Sequence, residues 1–136
     1  MKAGGDMLEV GCCYSKVFVA NNQIIQDIAK ISGDVNPIHL SEKYAKHSKF
    51  GKRIAHALFC QNNISMIIGN YLPGAGTILI SQNFKYKKPV YIDDAIETVV
   101  TVEKILSGDR YLLSTVCKNQ KDEVVLEGES IVKWEK

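Results

Sequence analysis

His56-Ala57-Leu58-Phe59-Cys60-Gln61-Asn62-Asn63-Ile64-Ser65-Met66-Ile67-Ile68-Gly69-Asn70-Tyr71 is the stretch whose periodicity decides the fold. Ala57, Leu58, Cys60, Ile64, Ile67, Ile68 and Tyr71 recur at helical spacing and leave a narrow polar stripe of Gln61, Asn62 and Ser65. A helix apolar nearly all round is buried on most sides. Leu72-Pro73-Gly74-Ala75-Gly76 ends it. Beyond that break the chain reads as strands over 77–86, 95–105, 111–118 and 124–134, with Gly108-Asp109 and Lys121-Asp122 as turns between the last three. On the other side, residues 14–19 alternate as a strand. Ile24, Ile25, Ile28 and Ile31 predict an amphipathic helix over 22–31, capped by Asn21 or Asn22 and stopped at Ser32-Gly33-Asp34. Asn36-Pro37 signals a turn, and Ser41 caps a short solvent-facing helix over 41–47. One strand, a helical half and a meander of four strands indicate α+β: one long buried helix wrapped by a curved antiparallel sheet. Residues 1–13 carry weak signals and are expected to be a loose N-terminal segment, with a single domain over 14–136.

The 136 residues suit one domain. Lys+Arg 17 against Asp+Glu 15 gives 17 − 15 = +2, too near neutral for the clustered basic face that nucleic-acid binding needs. No apolar run reaches the ~18 residues of a membrane helix. Met1–Asp6 lacks an apolar stretch after Lys2, which reads against a secretory signal. Cys12, Cys13, Cys60 and Cys117 form no C-x-x-C pair and no zinc spacing, so they read as free structural thiols of a cytoplasmic protein.

Chemistry concentrates in Ser32-Gly33-Asp34-Val35-Asn36-Pro37-Ile38-His39. An Asp and a His on a Gly- and Pro-shaped turn can form an acid–base pair. The same residues also fit a helix C-cap, an Asx-turn at Asp34 or Asn36, and a surface His. Ile54-Ala55-His56-Ala57 enters the buried helix, whose first N–H groups can stabilise an oxyanion. His56 reads either as part of that site or as a cap. Gln61 and Asn62 are expected to bond to the sheet. Lys85, Lys87 and Lys88 read as an exposed strand end or as contacts for a ligand phosphate. His47 reads as surface, and Trp134 as packing for the last strand.

Ser32-Gly33-Asp34-x-Asn36-Pro37-Ile38-His39 with Ala45, then Phe50-Gly51-Lys52-Arg53-Ile54-Ala55-His56-Ala57, resembles the MaoC-like (R)-specific enoyl-CoA hydratases. The resemblance runs on through Leu72-Pro73-Gly74-x-Gly76, Ser81-Gln82-Asn83-Phe84-Lys85-Tyr86 and Lys88-Pro89-Val90-Tyr91-x-Asp93-Asp94, covering roughly 14–134. It implies a hot-dog fold, a homodimer or higher homo-oligomer with an acyl-thioester tunnel near the subunit interface, and no cofactor or metal. The implied reaction is reversible syn hydration of a trans-2-enoyl-CoA to the (R)-3-hydroxyacyl-CoA. The resemblance assigns Asp34 and His39 to the water, the Ala57 backbone N–H to the oxyanion, and Asn36, Ser65 and His56 to support. The family usually carries Gly after the His matched by His56; Ala57 keeps the N–H and adds a methyl group. Sister activities on this fold are an acyl-carrier-protein 3-hydroxyacyl dehydratase, a thioesterase, or a non-catalytic acyl-thioester-binding subunit.

Overall fold

The computed structural model describes residues 8–135. Strand β1 (Cys13–Val19) leads into helix α1 (Asn22–Ser32), two short helices α2 (Pro37–Leu40) and α3 (Glu42–Lys46), and the long helix α4 (Ala57–Asn70). Strands β2 (Ile78–Tyr86), β3 (Ala95–Leu106), β4 (Arg110–Lys118) and β5 (Val124–Lys133) follow. All five strands form one antiparallel sheet in the order β1-β3-β4-β5-β2.

Local chemistry sets the helix ends. The Asn21 side chain accepts from the Ile24 N–H, and Gly33, at φ 77°, closes α1 in the left-handed region with its N–H on the Ala29 carbonyl. Ile25 and Ala29 face the core, whereas Ile31, expected on the same apolar face, is 89% exposed. Asn36-Pro37 is more than a turn. The Asn36 side chain accepts from the Ile38 N–H, and Pro37 starts α2 where a missing N–H costs nothing. Ser41 caps α3 through the Tyr44 N–H.

The core lies between α4 and the sheet. Phe59, Ile64 and Ile67 of α4 are at most 1% exposed, and burial of each contributes roughly 1.5–3 kcal/mol. Ile96, Val100 and Val102 of β3, with Leu113 and Cys117 of β4, meet them at the inward positions of the pleat. The opposite face of α4, with Leu58, Gln61, Asn62 and Ser65, is exposed, so the helix is half-covered where its composition predicted burial on most sides. Gln61 does bond to the sheet, donating to the Tyr86 hydroxyl, but Asn62 points outward. The buried polar residue is Asn63.

The expected four-strand meander is corrected to three. β2 pairs with β5, not with β3. Lys87-Lys88-Pro89 ends the strand, since proline cannot donate to a ladder. Residues 87–94 then cross to the far edge, where the Val90 carbonyl accepts from the Ala55 N–H and Asp93 and Asp94 bond to Ala20. β3 therefore starts beside β1. Leu8 and Cys12, from the segment expected to be loose, are buried in the core, and Gly11 and Cys12 bond to Val102. Residues 1–7 of that segment lie outside the described residues. His47 is exposed, and Trp134 is buried just past β5, donating to the Ala75 carbonyl.

Candidate active site

Asp34 leaves the C-terminus of α1 on a chain of short side-chain caps. Its N–H donates to Ser32 Oγ at 3.0 Å, and its Oδ1 accepts from the Asn36 N–H at 3.2 Å. The Asx-turn and the functional reading thus coexist. One carboxylate oxygen shapes the loop while the other, Oδ2, lies 3.9 Å from His39 Nε2.

His39 sits on α2 with its ring held by the main chain. Nδ1 is 2.7 Å from the Ile54 carbonyl oxygen. A carbonyl only accepts, so Nδ1 carries the proton and Nε2 presents a lone pair toward Asp34. The His39 side chain is 10% exposed and that of Asp34 is 47% exposed, so the imidazole is sheltered and the carboxylate reaches solvent. Burial pushes the His39 imidazole below the usual histidine range, and His56 adds to this; the Ile54 carbonyl and Asp34 pull the other way without reversing it. The ring is therefore neutral near pH 7, as a base requires.

His56 precedes α4 and stacks on His39 with ring centroids 3.9 Å apart. Its Nε2 donates to the Asp34 carbonyl at 2.9 Å, which pins the backbone of the acid. His56 makes no side-chain cap for α4. The first N–H groups of a helix have no intrahelical acceptor, and Ala57 at that end opens onto a cleft of about 480 Å³.

The cleft brings together Asp34, His39, His56 and Ala57. Phe50, Ile54, Cys60, Val90 and Val125 give it an apolar lining, and Tyr86, Lys87 and Lys88 also border it. A hydrogen bond with the Cys117 thiol, together with burial, pushes the Cys60 thiol far up, so it lines the cleft as an apolar group and not as a nucleophile. Lys87 and Lys88 are paired with Glu127 at 3.3 Å and Glu123 at 2.7 Å. The strand pleat turns Lys85 to the face opposite Tyr86, where it borders a groove with Asn83 and Glu129 instead, whereas Lys87 and Lys88 lie past the end of β2. Asn36 works as the cap of α2, outside the cleft lining, and Ser65 lies two turns along α4 on its exposed face. Asp34, His39 and His56 also offer ligand atoms within 4.8 Å of one another. Both imidazoles already donate one ring N–H to a carbonyl, and the His56 Nδ1 is buried without a partner among the described residues.

Sequence reasoning missed Arg53. Its guanidinium is buried, donating from Nε to the His39 carbonyl at 2.7 Å and from Nη2 to Asn22 Oδ1 at 2.8 Å.

Residues 17–124 match the model of the MaoC like domain. The chain belongs to this family. It is 40% identical over 126 residues to a 3-hydroxybutyryl-CoA dehydratase of Methylorubrum extorquens, covering 93% of this chain and 80% of the relative. It is 32% identical over 130 residues to an (R)-specific enoyl-CoA hydratase of Aeromonas caviae, covering 93% and 95%. An R-hydratase of Pseudomonas aeruginosa in the unliganded form superposes with a TM-score of 0.91 at 32% identity, covering 95% of this chain and 83% of the other. This MaoC-like chain has the hot-dog fold, a helix held in an antiparallel sheet.

Proposed function

We propose that this MaoC-like chain is an (R)-specific enoyl-CoA hydratase, adding water reversibly to a trans-2-enoyl-CoA to give the (R)-3-hydroxyacyl-CoA. The observation that carries the reading is the bare His39 Nε2 facing Asp34 Oδ2 across 3.9 Å, beside the N-terminus of α4. That gap is too long for a direct hydrogen bond and suits one water bridging the two groups.

Asp34 accepts one hydrogen of this water and orients it. His39 Nε2 takes the other proton as the water oxygen attacks C3. Electron density moves through C2 to the thioester oxygen, where the Ala57 N–H and the positive end of α4 stabilise the enolate. The proton on Nε2 then passes to C2, which restores the carbonyl and the neutral imidazole. One nitrogen receives and returns the proton, so both additions come from one face and the reaction is syn. His56 and Asn36 serve by holding the Asp34 backbone and the α2 turn.

Lys87 and Lys88 border the cleft and offer cations for the CoA phosphates in exchange for their glutamate partners. The chain acts as a homodimer. β2 is an edge strand whose Ile78, Leu79 and Ile80 are 61%, 51% and 48% exposed, the kind of apolar edge that a second copy covers. Cys12, Cys60 and Cys117 form no disulfide, in keeping with a cytoplasmic setting. Among the described residues, no helix is long and apolar enough to cross a membrane.

The deciding experiment follows the loss of enoyl absorbance with crotonyl-CoA, then resolves the product on a chiral phase. An (R)-3-hydroxybutyryl product is expected. An (S) product, release of free thiol, or turnover confined to carrier-protein thioesters would replace this reading.

A further inference from the structure

We infer that Arg53 is a positioning residue for the reaction, locking the single turn of α2 so that His39 presents Nε2 to the water. This rests on His39 being the base. α2 spans only Pro37–Leu40, and one helical turn does not hold itself together in water. Its N-terminus is secured by Pro37 and by Asn36, whose side chain accepts from the Ile38 N–H. Its C-terminal carbonyls have no intrahelical donor. The Arg53 Nε meets one of them, the carbonyl of His39 itself, at 2.7 Å.

Arg53 is 8% exposed, and its other arm bonds to Asn22 Oδ1 at 2.8 Å, at the start of α1. The guanidinium fork therefore ties the beginning of α1 to the end of α2, across the loop that carries Asp34. The one carboxylate within 4.0 Å of it among the described residues is Glu42, 3.9 Å from Nε and 78% exposed, which leaves the bonds to Asn22 and to the His39 carbonyl as the close contacts. The next residue completes the hold. The Ile54 N–H donates to the Ile38 carbonyl at 3.2 Å, and the Ile54 carbonyl accepts from the His39 Nδ1–H at 2.7 Å. Residues 53 and 54 thus grip His39 by backbone and ring together. A lysine in place of Arg53 can reach one of the two acceptors but lacks the planar fork that spans both.

The test compares Arg53→Gln and Arg53→Lys with the wild-type chain, reading crotonyl-CoA kinetics, thermal midpoint and the His39 ring-nitrogen signals by NMR. In Arg53→Gln, kcat is expected to fall at least ~10-fold, with KM within ~3-fold. The His39 signals should change from a single Nδ1–H tautomer to a mixture, and Arg53→Lys should recover part of both readouts. Unchanged kcat and ring signals in a folded variant overturn the inference. So does a rate loss that follows only the folded fraction, or unfolding of both variants, which makes Arg53 a fold anchor alone. Should the wild-type chain be inactive on enoyl thioesters, the proposed function fails, while the ring signals still decide the role of Arg53.

Discussion

Asp34 Oδ2 and His39 Nε2 stand 3.9 Å apart, each fixed through a different atom: Asp34 by Oδ1 on the Asn36 N–H, His39 by Nδ1 on the Ile54 carbonyl. Neither contact uses the atom that faces the gap, so both groups are pre-set by their other atoms. Asp34→Asn and His39→Ala are each expected to lower crotonyl-CoA hydration by at least ~100-fold, the low end for losing general acid–base catalysis. Steady-state rates of the two purified variants, with circular dichroism to establish folding, check this. Near-normal turnover in either one removes that residue from the mechanism.

Acid should weaken the protein at His39 in two ways. Burial holds the folded imidazole below its ordinary value of 6.5. Above 6.5 the ring is neutral in folded and unfolded chains alike, and it contributes no slope. As pH falls below 6.5 the unfolded chain takes up the proton first, so stability declines until the folded ring protonates as well. Urea midpoints between pH 7.5 and 5 should fall, and His39→Gln should flatten this part of the profile. Activity needs the bare Nε2 and is expected to persist below 6.5 before dropping at the lower folded value, as a pH–rate profile of kcat/KM will show.

The apolar edge of β2 gives a prediction about assembly. Ile78→Lys combined with Ile80→Lys places two charges on the exposed half of the strand, a device that blocks edge pairing. Light scattering after size exclusion should show a dimer for the wild-type chain and a monomer for the double variant. A wild-type monomer would contradict the proposed dimer.

Gly128 of β5 has no room for a side chain. A Cβ there would lie 2.1 Å from the Asn83 carbonyl oxygen of the neighbouring strand and 2.7 Å from the Phe84 ring. Gly128→Ala must push β2 away from β5, and a loss of about 1–3 kcal/mol or more is expected. Chemical denaturation measures it. A midpoint within error of the wild type would mean that the two strands separate freely.

Local chemistry was legible in the residues themselves. Asn21, Gly33 and Ser41 cap where their side chains or backbone freedom predict, because a cap is decided within four residues of chain. The strand partner of β2 was not legible. Lys87-Lys88-Pro89 announces the end of a strand but not the direction of the crossover that follows, which is set by the edge that β1 offers to β3. Asp34 and His39 stood out through an irregular motif, whereas periodicity alone left them as a turn and a surface histidine. Arg53 stood inside a stretch that carries the resemblance, but its neighbours Lys52 and Ile54 do not show that it bonds to Asn22 of α1 and to the His39 carbonyl of α2. Ser65 and Lys85 were placed by their neighbours in the chain, yet helix phase and strand pleat turn them away from the cleft.

The proton position on His39 is dictated by a main-chain oxygen, that of Ile54, and every amino acid supplies such an oxygen. The side chain at position 54 is thereby released from the chemistry although it lines the cleft. Substitutions there can reshape the cleft wall while His39 keeps its tautomer. Substrate range and catalytic competence can thus drift independently at a single residue, which makes position 54 a natural starting point for selecting altered chain-length preference.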